Sequence, residues 1–547
     1  MQLHSAVRQW ATKCWKVTGA GVHEVDFVAA GNPTAYLDNM RFVTTQTAVA
    51  ASGDAHTDTR VQVGETDVSA VDPGTLVTFT ATCTDGFVFG GWKASAESDE
   101  LLASTQTCSI TVYDEPVSLY AFAAQPWEGS GTQEDPYRIA SIADLDKLDG
   151  FVNGGITFEG SFFKLTADLQ ASTDAPIAGI GSQNTAGKSF CGVFDGNGKT
   201  IDMGSTTCDG LFPTLGYTGA EGALVKNLTV VADATAKSTS SQSKVGIIAG
   251  MCRGSIENCT AKGSLSASNT YDGGMGAIAG VLASEGSVTS CTADDVTLAN
   301  TTDGVANVGG ICGVYGYNSH IASCTFSGNI SCGNKTRRVG GILGTSSYAG
   351  IVRDCTAETD IAGASELGGI VGYLTNGTVD SCTFTGAISG TTHLGGICGE
   401  ANSGSNDIAI ADCTAYGSIA SETESANVGG IVGTAAGPMT ISNCKALQTS
   451  LEGDNCGRIC GMVETNWYGG PTFENNEAIA TMLINDELFD ESYAGADGMD
   501  GATRKSPQAV SIEQERYDKM VGDAPFAISA ASDGDGALAF SSSDELV

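Results

Sequence analysis

A six-residue phrase, Val-Gly-Gly-Ile-x-Gly, recurs at intervals of 27 to 34 residues through the middle of this 547-residue chain. Close copies begin at Val308, Val339, Leu367, Leu394 and Val428, and looser copies begin at Val245, Met275, Cys456 and the degenerate Gly210. Self-similarity at a fixed period is typical of repeat proteins, in which each copy packs mainly on its neighbours. The repeat therefore predicts a solenoid, and it argues against an enzyme because repeats of this kind serve to stack.

A second phrase, Ile/Val-x-x-Cys-Thr, follows a turn in each copy. After the cysteine, Phe326 and Ile330 share the parity of Cys324, whereas the residues between them are polar. A period of two indicates a strand with one buried face, and no window of the repeat shows the helical period. We therefore predict an all-β fold, a right-handed parallel β-helix of nine coils from Gly210 to Gly461, flanked by small β-sandwich modules.

The cysteine of this phrase occupies one slot in seven consecutive copies. Leu228 takes the slot in the first copy and Asn476 takes it in the last. The leucine predicts an inward, apolar slot, so the thiols should form a stacked ladder of small hydrophobic side chains rather than disulfides, because in-register parallel strands give poor disulfide geometry. The ladder comprises Cys259, Cys291, Cys324, Cys355, Cys382, Cys413 and Cys444.

The remaining cysteines predict one bridge and no metal site. Cys83 and Cys108 flank a single small β-domain and are the predicted disulfide. No pair of Cys-x-x-Cys motifs or Cys/His pairing is present, so zinc is not expected. No cofactor is predicted.

The two phrases together resemble the GLUG motif of bacterial surface proteins, a glycine-rich repeat also found in some IgA-cleaving peptidases. Residues 129–139, 163–169 and 190–201 are similar to the segments that precede such repeats, so the resemblance covers residues 126–480. Within this region, the capping box that begins at Ser141 predicts a short helix over 141–153. We interpret this helix as the N-terminal plug of the solenoid.

The flanks resemble other modules of surface proteins. Residues 44–125 resemble an internalin-type B-repeat, residues 1–43 the last strands of a carbohydrate-binding jelly roll, and residues 526–547 the opening of a bacterial Ig-like module, with 481–525 as a linker. The chain begins without an apolar signal region and contains no run of 18 apolar residues. We expect a fragment of a longer exported protein, monomeric within that polypeptide, whose signal peptide and cell-surface anchor lie outside it.

The chain is strongly acidic, with 26 Lys and Arg against 63 Asp and Glu, a formal net charge of −37. This balance argues against binding to nucleic acids or anionic lipids, which require clustered cationic charge. It is typical of a solvated extracellular surface. No EF-hand-like calcium loop is present.

Catalytic motifs do not emerge from the sequence. The five histidines never form His-Glu-x-x-His, and no nucleophile elbow is found, so the peptidase activity of some GLUG-bearing proteins has no residues here to carry it. On the predicted outer wall, Asp354, Asp380 and Asp412 are the candidates for glycoside chemistry by neighbouring carboxylates. A row of outward threonines is the candidate ligand-binding surface: Thr292, Thr325, Thr356, Thr383 and Thr414.

These observations favour a non-enzymatic segment of a cell-surface protein. It would serve as a stalk that spaces the molecule outward, or as an adhesin that binds host or matrix glycans and glycoproteins. The alternative is a carbohydrate-active β-helix, either a polysaccharide lyase or a hydrolase. An in-register carboxylate cluster in a groove would favour the alternative.

Overall fold

The computed structural model describes residues 46–488, with gaps at 85–86, 99, 104, 114, 125, 184–186, 218–221, 238–242, 269–272, 302–303, 334, 347, 405–407 and 424, together with 500, 502–504, 510–512 and 530–532. The chain forms two compact units. One contains residues up to 169 with 180–199 and 219–223, and the other contains 170–179, 200–218 and the chain from 224 onward. The predicted jelly-roll strands at 1–43 lie outside the described residues, as does all of 526–547 except 530–532.

The second unit is a parallel β-solenoid, which confirms the predicted fold class. Each coil contributes to three walls, and every wall pairs its strands in parallel with the coils before and after it. The glycine wall holds the Val-Gly-Gly strands Lys244–Gly246, Gly274–Gly276, Gly304–Gly309, Thr336–Gly340, Ser365–Gly368, Thr392–Gly395, Asn427–Gly429 and Asn455–Gly457. The second wall holds Phe212–Leu215, Ala249–Cys252, Ala279–Leu282, Cys312–Tyr315, Leu343–Ser346, Val371–Leu374, Cys398–Asn402, Val432–Ala436 and Cys460–Glu464.

The third wall, here called the cysteine wall, bends at the cysteine phrase. Before the bend lie Ser255–Glu257, Ser287–Thr289, Ser319–Ala322, Gly350–Arg353, Gly377–Asp380, Ile408–Ala411, Met439–Ser442 and Pro471–Glu474. After it lie Thr260–Ala267, Thr292–Asn300, Thr325–Cys332, Thr356–Glu358, Ile361–Ala362, Thr383–Thr385, Ala387–Gly390, Thr414–Ser421, Lys445–Glu452, Glu477–Ile479 and Leu483–Ile484. The first described coil runs through the bend as one strand, Leu224–Thr235.

The interior of the solenoid is built from ladders of identical side chains. The isoleucine of the glycine phrase is fully buried in eight successive coils. From Ile278 to Ile431, each of its N–H groups donates to the isoleucine carbonyl of the next coil, as Ile342 does to Ile370 at 3.0 Å. The ladder comprises Ile248, Ile278, Ile311, Ile342, Ile370, Ile397, Ile431 and Ile459. Because one coil cannot bury this face alone, the stability of each coil depends on its neighbours.

Close approach explains the glycines of the repeated phrase. None of Gly368, Gly369 and Gly372 has a positive φ. A Cβ on Gly369 would overlap the Gly396 carbonyl oxygen and the Phe384 ring, and one on Gly372 would lie 2.6 Å from the Val339 nitrogen. The contacts of Gly369 lie between neighbouring coils and across the interior. The contact of Gly372 lies between the glycine wall and the second wall. A side chain at these positions would push the walls apart.

The first unit contains a small β module and an aromatic cluster. Residues 46–124 form two four-stranded sheets around a core that includes Phe79, Trp92 and Leu119. Their strands are Thr47–Gly53, Thr57–Val63, Thr66–Asp67, Ala70–Val71, Thr75–Cys83, Val88–Lys93, Thr107–Val112 and Val117–Ala124. The proposed boundaries between modules remain predictions.

A single helix, Ile142–Asn153, follows the β module within the described residues. Ser141 caps it by accepting a hydrogen bond from the Asp144 N–H at 3.2 Å, and Leu145, Leu148 and Val152 are buried. Trp127 contacts Tyr137, Phe151, Phe158 and Phe163 at ring-centroid distances of 5.3 to 5.8 Å. The short strands here are Tyr137–Ile139, Phe162–Leu165 and Leu169–Gln170, followed by the long strand Val193–Thr207.

The segment predicted as a linker, 481–525, contains described strands. Beside Leu483–Ile484 these are Glu487–Leu488, Ala502–Arg504 and Val510–Ile512. The last of these pairs in antiparallel register with Ala530–Ser532. Part of this segment is therefore regular structure rather than a bare connection.

Candidate functional site

The repeat cysteines lie inside the solenoid, and their slot is a hydrogen-bonding position as well as an apolar one. All seven thiols are free and at most 1% exposed. The Cys355 thiol, for example, lies 3.0 Å from the carbonyl oxygen of Arg353 and 3.9 Å from that of Ile321 in the preceding coil. The Cys291 sulfur also accepts from the Cys259 N–H at 3.4 Å.

Asn476 fits this slot because its amide reproduces both roles of the thiol. The side chain is buried; its oxygen accepts from the Cys444 N–H at 2.9 Å and its nitrogen donates to the Ile441 carbonyl at 2.8 Å. A buried amide is tolerated where both of its groups are paired. The asparagine is therefore part of the ladder rather than a sign of a solvated end.

Burial makes the thiols of the second wall poor acids. Desolvation raises the pKa of Cys252, Cys312 and Cys460 from 9.0 to about 12. In the cysteine ladder, hydrogen bonds between neighbouring thiols raise the pKa of Cys291, Cys355 and Cys413 and lower the pKa of Cys324 and Cys382. The second-wall thiols therefore keep protons in the folded chain that they release in the unfolded chain in alkaline solution.

We expect the solenoid to lose stability between about pH 9 and pH 12. A raised folded-state pKa contributes stability that is present below the unfolded pKa and is lost as the pH rises through the folded value. Each thiol with a folded pKa near 12 should contribute a slope of about 1.4 kcal/mol per pH unit in this window. Thermal melts at pH 8 and pH 10.5 measure the effect, and Cys312→Ala should reduce the slope. A melting temperature that is flat across this range would contradict the expectation.

The slot before each cysteine is a structural corner. Its residue adopts a left-handed backbone in every coil, with φ of 53° at both Asp354 and Asp412. The full row is Asn227, Asn258, Ser290, Ser323, Asp354, Ser381, Asp412, Asn443 and Asn475. Asn and Asp tolerate this conformation better than other residues with a Cβ. The left-handed backbone of the corner therefore explains why aspartate occurs at two of the three candidate catalytic positions.

The structure places the three aspartates on consecutive coils. The Asp354 N–H donates to the Asp380 carbonyl at 3.1 Å, and Ser381 lies between the two corner aspartates. Asp354 and Asp412 are thus two rungs apart, about 10 Å along the stack. Asp354 and Asp412 are exposed and Asp380 is half-buried.

The threonine row is continuous and half-buried on the outer face of the cysteine wall. Thr260, Thr292, Thr325, Thr356, Thr383 and Thr414 are in register, and Lys445 follows them. Each N–H in the row from Thr292 onward donates to the cysteine carbonyl of the preceding coil, as that of Thr356 does to Cys324 at 2.9 Å. The hydroxyls are held at a fixed spacing of about 4.8 Å by the pairing of the strands.

The predicted disulfide between Cys83 and Cys108 is contradicted by the structure, in which both thiols are free. The two cysteines lie on adjacent antiparallel strands, but Cys108 is opposite Phe79 rather than Cys83. A register offset of four residues separates them by about 13 Å along the strand, well beyond the range that a disulfide can bridge.

Two neighbouring columns of side chains that the sequence analysis missed lie where the glycine wall meets the second wall. One column of residues immediately precedes the Val/Leu-Gly-Gly phrases, and the other follows the third glycine by one residue. The first column is Asn307, Arg338, Glu366, His393, Asn427 and Asn455, and the second is Val281, Val314, Thr345, Tyr373, Glu400, Thr434 and Met462. We call this pair of columns the two-column strip.

Charged groups occupy the middle of the two-column strip. Arg337, adjacent to the first column, forms a two-pronged ion pair with Glu366, including an Nε–Oε2 distance of 2.8 Å. The Glu366 side chain is only 2% exposed. The Arg338 guanidinium carbon lies 4.2 Å from the centre of the Tyr373 ring. Burial, with a smaller contribution from Glu400, raises the pKa of Tyr373, so its hydroxyl remains protonated near neutral pH.

The next coils continue this polar network. His393 Nδ1 lies 2.7 Å from the Thr434 hydroxyl and 4.0 Å from a Glu400 carboxylate oxygen. Asn402 donates to Glu400 at 3.1 Å, and Asn427 donates to Thr434 at 2.9 Å. The sequence contains a signal for this site. The position immediately before the Val/Leu-Gly-Gly phrase carries Arg, Glu and His in three consecutive copies.

An exposed turn with two aromatic residues connects the second wall to the cysteine wall after the strand Cys460–Glu464. Trp467 is 95% exposed and Tyr468 is 67% exposed. The turn is held by two backbone hydrogen bonds between Asn466 and Gly469, and the Asn466 amide donates to the Ser403 carbonyl at 2.8 Å. Tyr317 and Tyr348 are also more than half exposed, in the corresponding turns of two adjacent coils.

Two open concavities of about 450 Å³ and 330 Å³ lie on the cysteine wall. The larger is lined by Ser205, Thr206, Thr207, Asp233, Ala234, Thr235, Ser264 and Ser266, and the smaller includes Asn329, Ser331, Asp360 and Ser389. Over the described part of the chain, no three His, Cys, Asp or Glu side chains come together as a metal-binding group.

Comparison with known proteins identifies the repeat. A family model described as the GLUG motif matches residues 363–389, which span one Leu-Gly-Gly-Ile-Val-Gly phrase and the cysteine phrase after it. The chain carries the GLUG motif. Within the matched residues lie the glycine-wall strand Ser365–Gly368, the second-wall strand Val371–Leu374 and the cysteine-wall strands Gly377–Asp380 and Thr383–Thr385.

Two further proteins are similar to this GLUG-containing chain. Halomucin from Haloquadratum walsbyi (strain DSM 16790 / HBSQ001) is 30% identical over 191 residues, which are 32% of this chain and 2% of that protein. The chain therefore spans a small fraction of the relative.

A solved structure of a putative immunoglobulin A1 protease from Bacteroides ovatus covers 70% of this chain and 87% of its own, at 17% identity and a TM-score of 0.29. A TM-score this low supports no conclusion about fold or activity. No helix in the described ranges is long and apolar enough to cross a membrane.

Proposed function

We propose that this chain is a non-enzymatic segment of an exported cell-surface protein, in which the GLUG solenoid spaces the molecule outward and binds host or matrix glycans. The observation that carries the proposal is the continuous in-register row of threonine hydroxyls on the cysteine wall. Hydroxyl groups at a repeat of about 4.8 Å can donate to and accept from successive hydroxyls of an extended polysaccharide.

The exposed aromatics support the same function. Trp467 and Tyr468 are kept in a fixed turn although burying them would be favourable. Large aromatic rings held rigidly at a surface provide contact area at low entropic cost and dominate many binding interfaces. The larger open concavity on the cysteine wall is lined mainly by hydroxyl groups and suits weak, multivalent contact rather than an enclosed substrate.

A panel of neutral and acidic polysaccharides incubated with the full chain tests the proposal. We expect retention on at least one glycan surface and no release of reducing ends. The triple change Thr325→Val, Thr356→Val and Thr383→Val should weaken retention several-fold without lowering the melting temperature, because valine has the size of threonine and suits an exposed strand. Trp467→Ala should also weaken retention, whereas Leu76→Ala, at an exposed site in the other unit, should not.

Sustained release of reducing ends would instead support the carbohydrate-active alternative. Loss of that release in the Asp354→Ala, Asp380→Ala and Asp412→Ala triple variant would assign it to the aspartate candidates. Absence of both retention and release would leave only the spacer role.

A further inference from the structure

Arg338 is an unusual cation in a strongly acidic chain. Its guanidinium carbon lies 4.2 Å from the centre of the Tyr373 ring, and among the described residues no carboxylate lies within ion-pairing distance of it. The neighbouring Arg337, by contrast, is fully engaged by Glu366. The cation–π contact holds the Arg338 guanidinium over the ring while leaving it hydrogen-bond donors for another molecule.

The backbone beneath this site is strained. Arg338, Glu366 and His393 have φ values of 64°, 51° and 55°, in the left-handed region that long side chains rarely adopt. The preceding coil has Asn307 in the same slot, with φ of 50°, and asparagine tolerates this conformation. Three successive coils therefore keep ionisable side chains where asparagine would fit better. Strain retained in this way concentrates at binding sites.

The groups around Arg338 define the ligand. The Tyr373 hydroxyl is a neutral donor beside the guanidinium, so the two can bind a carboxylate together. One rung further along the second wall, the Glu400 carboxylate can accept hydrogen bonds from sugar hydroxyls. Glu366 and Glu400, together with the net charge of −37, disfavour densely charged polymers.

We propose that the two-column strip binds a carboxylate-bearing sugar, such as a sialic or uronic acid residue within a sparsely charged glycan. Arg338 and Tyr373 hold the carboxylate, and Glu400 takes hydroxyl groups. This proposal specifies the class of glycan that the chain binds, and it rests on the proposed glycan-binding function. It lies on different walls from the threonine row, so the two can be tested apart.

The test measures binding of sialyllactose, glucuronic acid and neutral lactose to the full chain by calorimetry. We expect a preference for the two acids that weakens as salt is raised, and a loss of at least about tenfold in their affinity in Arg338→Asn. Asparagine accepts the left-handed backbone, so the melting temperature of this variant should stay the same or rise. Tyr373→Phe keeps the ring under the guanidinium and should lose a smaller factor.

Arg353→Asn is the matched control, because Arg353 is exposed on the cysteine wall of the same coil region. This variant should bind the acids like the unmodified chain. Equal binding of lactose and sialyllactose, or unchanged affinity in Arg338→Asn, would overturn the anion site while leaving glycan binding intact. Absence of binding to all three sugars would overturn the anion site, and only failure of the whole polysaccharide panel would remove the glycan-binding function as well.

Discussion

Ile342→Asp should lower the free energy of unfolding of the central coils by about 4 kcal/mol or more. Ile342 is fully buried in the isoleucine ladder, and its backbone pairs with the coils on both sides. The substitution removes a stacked apolar side chain and places an unpaired carboxylate in a dry interior. Because coil stability is a nearest-neighbour sum, the damage should spread to adjacent coils. Urea unfolding followed by circular dichroism, with hydrogen exchange to locate the affected coils, measures this.

The matched control is Asp354→Asn on the outer face. Asparagine keeps the left-handed corner and removes only an exposed charge, so the change should stay within about 0.5 kcal/mol. Alanine would be a poorer control, since a Cβ without a compensating polar group adds left-handed strain of about 1 kcal/mol. Equal effects of Ile342→Asp and Asp354→Asn would mean that the inward and outward faces are assigned incorrectly.

Gly369→Ala should destabilise the solenoid by about 3 kcal/mol, although it adds a single methyl group. Its Cβ would overlap the Gly396 carbonyl oxygen of the next coil and the ring of Phe384 across the interior. Backbone cannot move aside as a flexible side chain can, so the walls must separate locally. Thermal melts of the full chain measure the loss.

Gly150→Ala is the opposite case and serves as its control. Gly150 is exposed within the helix Ile142–Asn153, and a Cβ there meets no atom within 4 Å. Alanine should stabilise this helix by up to about 1 kcal/mol. If Gly369→Ala were as well tolerated as Gly150→Ala, the repeated glycine would not be required for close packing of the coils.

The sequence predicted the solenoid because its information repeats. The strand period, the turn residues and the apolar slots agree in copy after copy, and stacking leaves few alternatives for such a pattern. The outward row at Thr325 and the inward position of Cys324 follow from the same parity. The reason for the repeated glycines could not be predicted. Glycine is required both where φ is positive and where two backbones approach closely, so the residue type does not distinguish these causes.

Features that depend on contacts between residues outside the repeated pattern were harder to predict from the sequence. Asp354 and Asp412 were selected for their charge, whereas the corner requires residues that tolerate a left-handed backbone. The Cys83–Cys108 bridge failed because spacing along the chain does not reveal the register between two strands. The two-column strip was missed because Arg338 and Tyr373 belong to different coils and meet only when the walls pack together.

The hydrogen bonds that join the coils all run along the stacking direction, and this decides how the solenoid would respond to mechanical load. A pull on the chain ends concentrates force on the outermost rung, whose bonds open in sequence rather than shearing together. Each released coil frees 27 to 34 residues, about 100 Å of extended chain. A tether built this way lengthens in discrete steps under tension and can restack when the force falls.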